Sequence, residues 1–235
     1  MPGVPLLQVK NLHQSQASRG PRRSQRPTVL QDVSFSVEAG ERVAVVGPPG
    51  SGKTALVRAV ALIDIPEAGG VYWEGEDITR ARGGRLRALR RKLQFVGGDP
   101  RRTLSPRLSV EDILAEPLLV HRLGSASERR ARVEAAATAW GLNALLLGCK
   151  VSALSAAMCQ RVALARALIL QPRLLVCDGL ADRIEPAAAR LLLESLARAC
   201  RSAGFAWLWT TSDRVLAEAF ADRVLVMEDG RLGRG

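Results

Sequence analysis

The feature that most constrains this chain is a glycine-rich loop between a predicted strand and a predicted helix. Residues 47–54 match the pattern G-x-x-x-x-G-K-[ST] and directly follow the apolar run 43–46. A strand, this turn and a helix in that order predict an α/β fold whose loop wraps around phosphate groups. The predicted phosphate-binding residues are Gly47, Pro48, Pro49, Gly50, Ser51, Gly52, Lys53 and Thr54.

The residue types in this loop indicate which ligand it favours. Glycines let the backbone approach phosphate oxygens closely, and the amide N–H groups of 50–54 can point inward as an anion-binding nest. Lys53 is expected to reach the β and γ phosphates of a nucleoside triphosphate, and the Thr54 hydroxyl is expected to bind Mg²⁺. The two prolines have no N–H group, so they only shape the start of the loop.

Length and composition suit one large α/β domain with a helical insert. The chain has 235 residues, of which 47% are hydrophobic. No run of about 18 or more apolar residues occurs, so we expect no membrane-spanning helix. The apolar start, residues 1–7, is too short and uncharged for a signal peptide. The four cysteines lack C-x-x-C spacing, which favours buried, reduced thiols in a cytosolic protein.

The chain is strongly basic, with a formal net charge of +11. Its arginines cluster at 19–26, 80–91 and 101–107. Three interpretations are open: nucleic-acid binding, attraction to an anionic membrane surface or membrane partner, and a solvated face without a specific partner. Aromatic residues make up only 4% of the chain, which argues against a base-stacking platform. We therefore expect no nucleic-acid partner.

Strands alternate with helices along most of the chain. Continuous apolar runs such as 174–177 are typical of strands covered on both faces, and the alternation predicts a mostly parallel sheet with an antiparallel β edge. The predicted strands span 4–10, 29–37, 42–46, 71–73, 92–96, 174–177, 206–210 and 222–228. The predicted helices span the loop to about 63, 84–91, 156–170, 186–202 and 213–220. The predicted loop spans 13–28.

Between the predicted strand 92–96 and the run 174–177 we expect an inserted helical subdomain, at about 100–170. Its helical region covers 109–147, where Ser109 with Asp112 resembles a capping box and Ser127 is predicted to cap a second helix. Ser155 is predicted to cap the helix that follows. Near the end of the chain, Asp229 and Gly230 form a hairpin signal.

Several further motifs follow the loop in a fixed order. Residues 154–158 read Leu-Ser-Ala-Ala-Met and lead into 160–168, and residues 172–178 end a strand on Asp178. With 30–37 and 221–231, these motifs resemble the ATP-binding cassette subunit of ABC transporters over nearly the whole chain. The stretches 99–100, 104–107 and 110–113 look like the importer branch for nickel, dipeptides and oligopeptides.

This resemblance implies a single nucleotide-binding domain over 1–235, with ATP and Mg²⁺ as cofactors. Thr54 and Asp178 would hold the metal, directly or through water, and Asp178 would complete the cofactor-binding set. The implied partners are transmembrane permease subunits and a second nucleotide-binding subunit, in a homodimer or a heterodimer. The implied location is cytoplasmic, peripheral on the inner face of the cell membrane.

The departures from the family pattern fall on functional positions. Gln16 stands where the resemblance places an adenine-stacking aromatic residue, and Gly98 stands where it places the glutamine that contacts Mg²⁺ and water. Gly179 replaces the general-base glutamate after Asp178, and Ser212 replaces the switch histidine. The signature L-S-G-G-Q becomes 154–158, which adds two Cβ atoms where bare glycines approach a phosphate.

These losses predict a chain that binds Mg-ATP and hydrolyses it poorly, a pseudo-ATPase with no residue assigned as catalytic. Misalignment would explain Gln16 but not Gly179 or Ser212, because Asp178 and Asp213 beside them fix the alignment. Random decay would also have struck the phosphate loop, which is intact.

Two alternatives stay open: a fully active transport ATPase with divergent motifs, and a soluble ATP-dependent scaffold or regulator without a membrane partner. A GTPase is disfavoured because no N-K-x-D motif occurs, and a small-molecule kinase is disfavoured by the signature helix. The sequence does not indicate which solute is transported.

Overall fold

Two β-sheets organise the chain, and the computed structural model describes residues 3–15 and 28–234. A four-stranded sheet has the order β2-β1-β4-β5, and a six-stranded sheet has the order β10-β9-β3-β8-β7-β6. In chain order the strands are β1 Leu7–Ser15, β2 Thr28–Val37, β3 Arg42–Val46, β4 Ala68–Trp73, β5 Glu76–Asp77, β6 Leu93–Val96, β7 Leu174–Asp178, β8 Ala206–Thr211, β9 Arg223–Glu228 and β10 Arg231–Arg234.

Helices flank the larger sheet and separate its strands in sequence. They are α1 Lys53–Val60, α2 Gly83–Lys92, α3 Pro100–Thr103, α4 Val110–Val120, α5 Ala126–Ala139, α6 Ala144–Leu147, α7 Ala156–Leu168, α8 Pro186–Ala203 and α9 Arg214–Phe220, with a 3₁₀ turn at Val151–Ala153. No helix within the described ranges is long and apolar enough to cross a membrane.

The larger sheet is parallel except at one edge. Strands β9, β3, β8, β7 and β6 pair in parallel, whereas β10 pairs antiparallel with β9. The smaller sheet is antiparallel throughout. This confirms the predicted α/β architecture, a mostly parallel P-loop core with an antiparallel β edge and helices inserted between β6 and β7.

Alternate side chains of the central strands enter two separate hydrophobic clusters, one on each face of the larger sheet. In β7, Leu175 and Cys177 pack with helices α4 to α8, while Leu174 and Val176 pack with α1 and the antiparallel sheet. All four side chains are fully buried. The continuous apolar run in this strand therefore reflects burial on both faces, as predicted.

Side-chain caps define where several helices begin. Ser109 and Asp112 form a capping box at α4, and the Ser155 hydroxyl accepts from the amide of Met158 at α7. The prediction for α5 was wrong by two residues: Ser125, not Ser127, is its N-cap, because Glu128 lies three residues after Ser125 and closes a capping box with it.

Some element boundaries differ from those predicted. The first strand begins at residue 7 rather than 4 and continues to 15, into the predicted loop 13–28, because β1 pairs with both β2 and β4. Residues 16–27 lie outside the described residues. The predicted helical region 109–147 is three helices separated by turns, and strand β4 begins at 68 instead of 71. The hairpin predicted at Asp229 and Gly230 joins β9 to β10, and both residues have positive φ.

Three of the four cysteines are buried and Cys149 is half-buried, and all four are free thiols. Burial raises the pKa of Cys200 to about 11 and raises the pKa of Cys177 further. The Cys177 and Cys200 thiols therefore stay protonated, and the prediction of buried thiols holds for three of the four cysteines.

Candidate functional site

The glycine-rich loop connects the end of β3 to the start of α1, at the carboxyl end of the parallel strands. Gly47 is required by close approach, since a Cβ atom there would lie 2.1 Å from the carbonyl oxygen of Met227. Gly52 has φ of 106° and is the residue before α1, so the helix begins with a left-handed turn that glycine adopts without strain. The loop conformation thus depends on these two glycines.

Lys53 folds back across the loop it follows. Its ammonium group donates to the carbonyl oxygens of Gly47 at 2.7 Å and Pro48 at 2.9 Å. Burial lowers the pKa of Lys53, and the carboxylates of Asp182 and Asp178 oppose this shift. The Lys53 ammonium group is therefore held against the glycine-rich loop, where it would contact a bound anion.

The two residues predicted to hold Mg²⁺ are brought together. The Thr54 hydroxyl donates to Oδ1 of Asp178 at 3.1 Å, and the Thr210 hydroxyl donates to the same oxygen at 2.9 Å. The Thr210 hydroxyl also accepts from the amide N–H of Gly179 at 2.9 Å. Hydroxyl and carboxylate oxygens are hard ligands of the kind Mg²⁺ prefers, so this pair fits the ion.

Thr210 and Asp182 are site residues that sequence reasoning missed. Thr210 is the penultimate residue of β8, which lies between β3 and β7 in the sheet although it follows both in sequence. Asp182 accepts from the Thr211 hydroxyl at 3.1 Å, and its amide donates to the carbonyl of Gly179 at 3.2 Å. The available signal was the strand order of a parallel sheet, which places the ends of neighbouring strands side by side.

The backbone at Gly98 lies close to the backbone of 178–179, at two of the positions where the family places catalytic side chains. A Cβ atom on Gly98 would lie 2.6 Å from the carbonyl oxygen of Asp178 and 3.0 Å from that of Gly179. Gly179 itself has φ of 59°, a left-handed backbone conformation that residues with a side chain rarely adopt. Gln160 holds this contact from the other side by donating to the carbonyl of Gly98 at 3.1 Å.

Two of the remaining predicted positions, Ser212 and Met158, are exposed. Ser212 is exposed beside Asp213, whose carboxylate caps α9. Met158 is 38% exposed in the first turn of α7. Gln16, at the predicted adenine-stacking position, lies outside the described residues.

The contact at Gly98 makes a direct stability prediction. Gly98→Ala is expected to destabilise the fold by about 1–3 kcal/mol, because the new methyl group meets backbone that cannot rotate away. That loss corresponds to a fall in melting temperature of roughly 2–4 °C per kcal/mol in a chain of this size. Gly97→Ala is the matched control, since its nearest neighbour is a side-chain carbon of Phe95 at 3.6 Å. Equal melting temperatures for the two variants would contradict the contact.

A parallel sheet, a glycine-rich loop before α1 and a facing carboxylate at the end of β7 define a P-loop nucleoside triphosphatase fold. The family model described as ABC transporter matches residues 30–181. The chain therefore belongs to the ABC transporter family, as the sequence motifs predicted.

Curated relatives extend over nearly the whole chain. The nickel import ATP-binding proteins NikE of Escherichia coli strain K12 and of Shigella boydii are each 33% identical over 229 residues, which cover 97% of this chain and 85% of theirs. The dimeric ATP-binding cassette MJ0796 in a post-hydrolysis state, bound to ADP and Pi, superposes with a TM-score of 0.86 at 26% identity, covering 97% of both chains. CbiO1 of Clostridium perfringens, at 24% identity and a TM-score of 0.83, covers 97% of this chain and 87% of its own and shares the fold.

Proposed function

We propose that this chain is the nucleotide-binding subunit of an importer for nickel or peptide-like solutes, and that it binds Mg-ATP but hydrolyses it poorly or not at all. One observation carries the proposal. The phosphate loop and Asp178 are assembled with their hydrogen bonds in place, whereas Gly98 and Gly179 fill the neighbouring space with bare backbone. The site therefore keeps its binding groups without the groups that orient water.

Binding would use groups already close together. The amide N–H groups of residues 50–54 and the ammonium of Lys53 would contact the phosphates, with the lysine releasing its two carbonyl partners. Thr54 and Asp178 would hold Mg²⁺, which would neutralise phosphate charge when bound. Thr210 would keep Asp178 oriented, because its hydroxyl donates to the same carboxylate oxygen as Thr54 does.

Hydrolysis would lack its usual proton acceptor. General-base catalysis typically contributes about 10²–10⁴-fold, and no carboxylate follows Asp178 directly. A working ATPase is the second candidate, because the site does hold another carboxylate, that of Asp182. Its charge acts on Lys53 and opposes the fall in the pKa of Lys53. ATP binding and phosphate release measured on the same purified sample separate the two: binding with background release supports the proposal, and steady release supports the working enzyme.

The partner surface of this proposal is a groove between β6 and the helices α3, α4 and α7. The groove encloses about 370 Å³ and its lining includes Val96, Leu104, Pro117, Val120 and Ala167. Its apolar floor and the ion pair of Arg166 with Glu116, 2.8 Å apart, suit a short helix of a permease subunit at the inner face of the membrane. A second nucleotide-binding subunit would complete the assembly.

Docking of the permease can be tested by introducing one charged side chain into the groove. Val120→Glu is expected to reduce co-purification with a co-expressed importer permease by about tenfold or more, because the carboxylate would be buried against apolar surface. Val120 is 47% exposed in the free chain, so the substitution is compatible with folding. Leu145→Glu, at a residue 84% exposed on α6 and absent from the groove lining, is the control. Equal recovery of permease with both variants would favour a scaffold without a membrane partner.

A further inference from the structure

A second concave surface lies next to the groove and has a different character. It is an open pocket of about 790 Å³ formed by α2, the turn after α4 and the segment that enters β7. It shares Val120, His121 and Leu170 with the groove but no lining residue with the phosphate loop. Its charged lining residues are Arg87, Arg91, Lys92, Arg122 and Arg173.

The cations of this pocket are poorly compensated. No acidic side chain lines the pocket. Of its five cationic side chains, only Arg173 has a carboxylate partner among the described residues, Glu74 at 2.6 Å. Arg87 uses one donor on the carbonyl of Val120, which fixes its guanidinium across the gap between α2 and the end of α4. Arg91, Lys92 and Arg122 are exposed and make no ion pair there. Elsewhere on the surface, arginines of α5, α8 and α9 pair with glutamates one turn away.

The pKa of His121 reflects the positive electrostatic potential in this pocket. It is half-buried at the pocket wall, and its pKa is lowered by burial and then by the guanidinium groups of Arg87 and Arg91. A neutral imidazole can donate a hydrogen bond without adding charge, and guanidinium groups offer paired donors to oxyanions. The pocket therefore combines several free charged donors with one neutral donor around an unfilled space.

We propose that this pocket binds a phosphate group, carried either by a free phosphorylated molecule or by the headgroup of an anionic lipid. Arg87, Arg91 and Lys92 of α2 and Arg122 after α4 would surround the oxyanion. Arg87 is already anchored and would require the least ordering. The site would lie beside the groove assigned to the permease and apart from the phosphate loop, so its occupancy does not depend on whether the chain hydrolyses ATP.

Inorganic phosphate is the first probe, because the reporter is local. The chain contains only two histidines, and His121→Asn assigns the ring signals of His121 by NMR. Phosphate added to the full chain is expected to shift these signals saturably, whereas phosphate at the distant loop leaves them unchanged. The variant Arg91→Ala/Lys92→Ala/Arg122→Ala should weaken this binding about tenfold or more. The control Arg190→Ala/Arg198→Ala/Arg201→Ala removes three exposed charges from α8 and should bind like the parent chain.

Vesicles distinguish the two sources of the phosphate. Co-sedimentation with phosphatidylglycerol vesicles, lost in the pocket variant, kept in the α8 variant and not seen with phosphatidylcholine alone, identifies a lipid headgroup. Saturable shifts of His121 without vesicle binding identify a free phosphorylated molecule. His121 signals that do not move, or equal phosphate and vesicle binding by the pocket and α8 variants, would overturn the proposal and leave a solvated basic face.

Discussion

Phosphate release from ATP by the purified chain is expected to be at least about a hundredfold slower than by a working family member. Three groups are missing at once: Gly98 presents no amide side chain, Gly179 presents no carboxylate, and Ser212 presents no imidazole. Each loss is worth about 2–4 kcal/mol of barrier, although groups that act as one unit are not additive. Steady-state phosphate release with saturating Mg-ATP measures this directly.

Restoring single groups should recover little of that rate. Gly179→Glu places a side chain at φ of 59°, with its Cβ 3.0 Å from the Asp182 carboxylate, so it adds strain of about 1–2 kcal/mol without rebuilding the other positions. A combined variant should recover far more, provided that its loops also move apart. It carries Ala156→Gly, Ala157→Gly, Met158→Gln, Gly98→Gln, Gly179→Glu and Ser212→His. Vigorous hydrolysis by the unmodified chain, abolished by Lys53→Ala, would falsify the pseudo-ATPase interpretation.

Mg-ATP binding is expected to fall about 10- to 100-fold in Lys53→Ala. The ammonium would make charge-assisted hydrogen bonds to phosphate, each worth about 1.5–3 kcal/mol, and no other basic side chain contacts the loop carbonyls it occupies in the described structure. Calorimetric titration of parent and variant gives the ratio. Lys150→Ala, which removes an exposed lysine near the start of the 3₁₀ turn, controls for the change in net charge. Equal affinities of Lys53→Ala and the parent chain would refute the assignment of the loop.

The sequence was sufficient to predict those features that are formed by residues adjacent in the chain. The phosphate loop, the capping box at Ser109 and the hairpin at Asp229 and Gly230 each depend on a few adjacent residues, and each is present as predicted. The buried strand β7 was visible for a similar reason, since burial on both faces requires an uninterrupted apolar run.

Features that depend on pairing between distant segments could not be located in this way. Strand β1 continues through polar residues because β2 supplies partners, including Ser34 for the amide of Asn11 and Asp32 for its side chain. Thr210 meets Asp178 only because β8 lies beside β7. The contact of Gly98 with Gly179 likewise follows from the register that pairs Val96 with Cys177, which places the ends of β6 and β7 together.

That contact also bears on how such a chain evolves. A side chain at position 98 would meet the backbone of 178–179, and a side chain at position 179 would meet an unfavourable φ and the carboxylate of Asp182. Neither position can therefore take a side chain without a cost in stability. A chain with side chains at both positions would therefore need coordinated changes in the loops that follow β6 and β7.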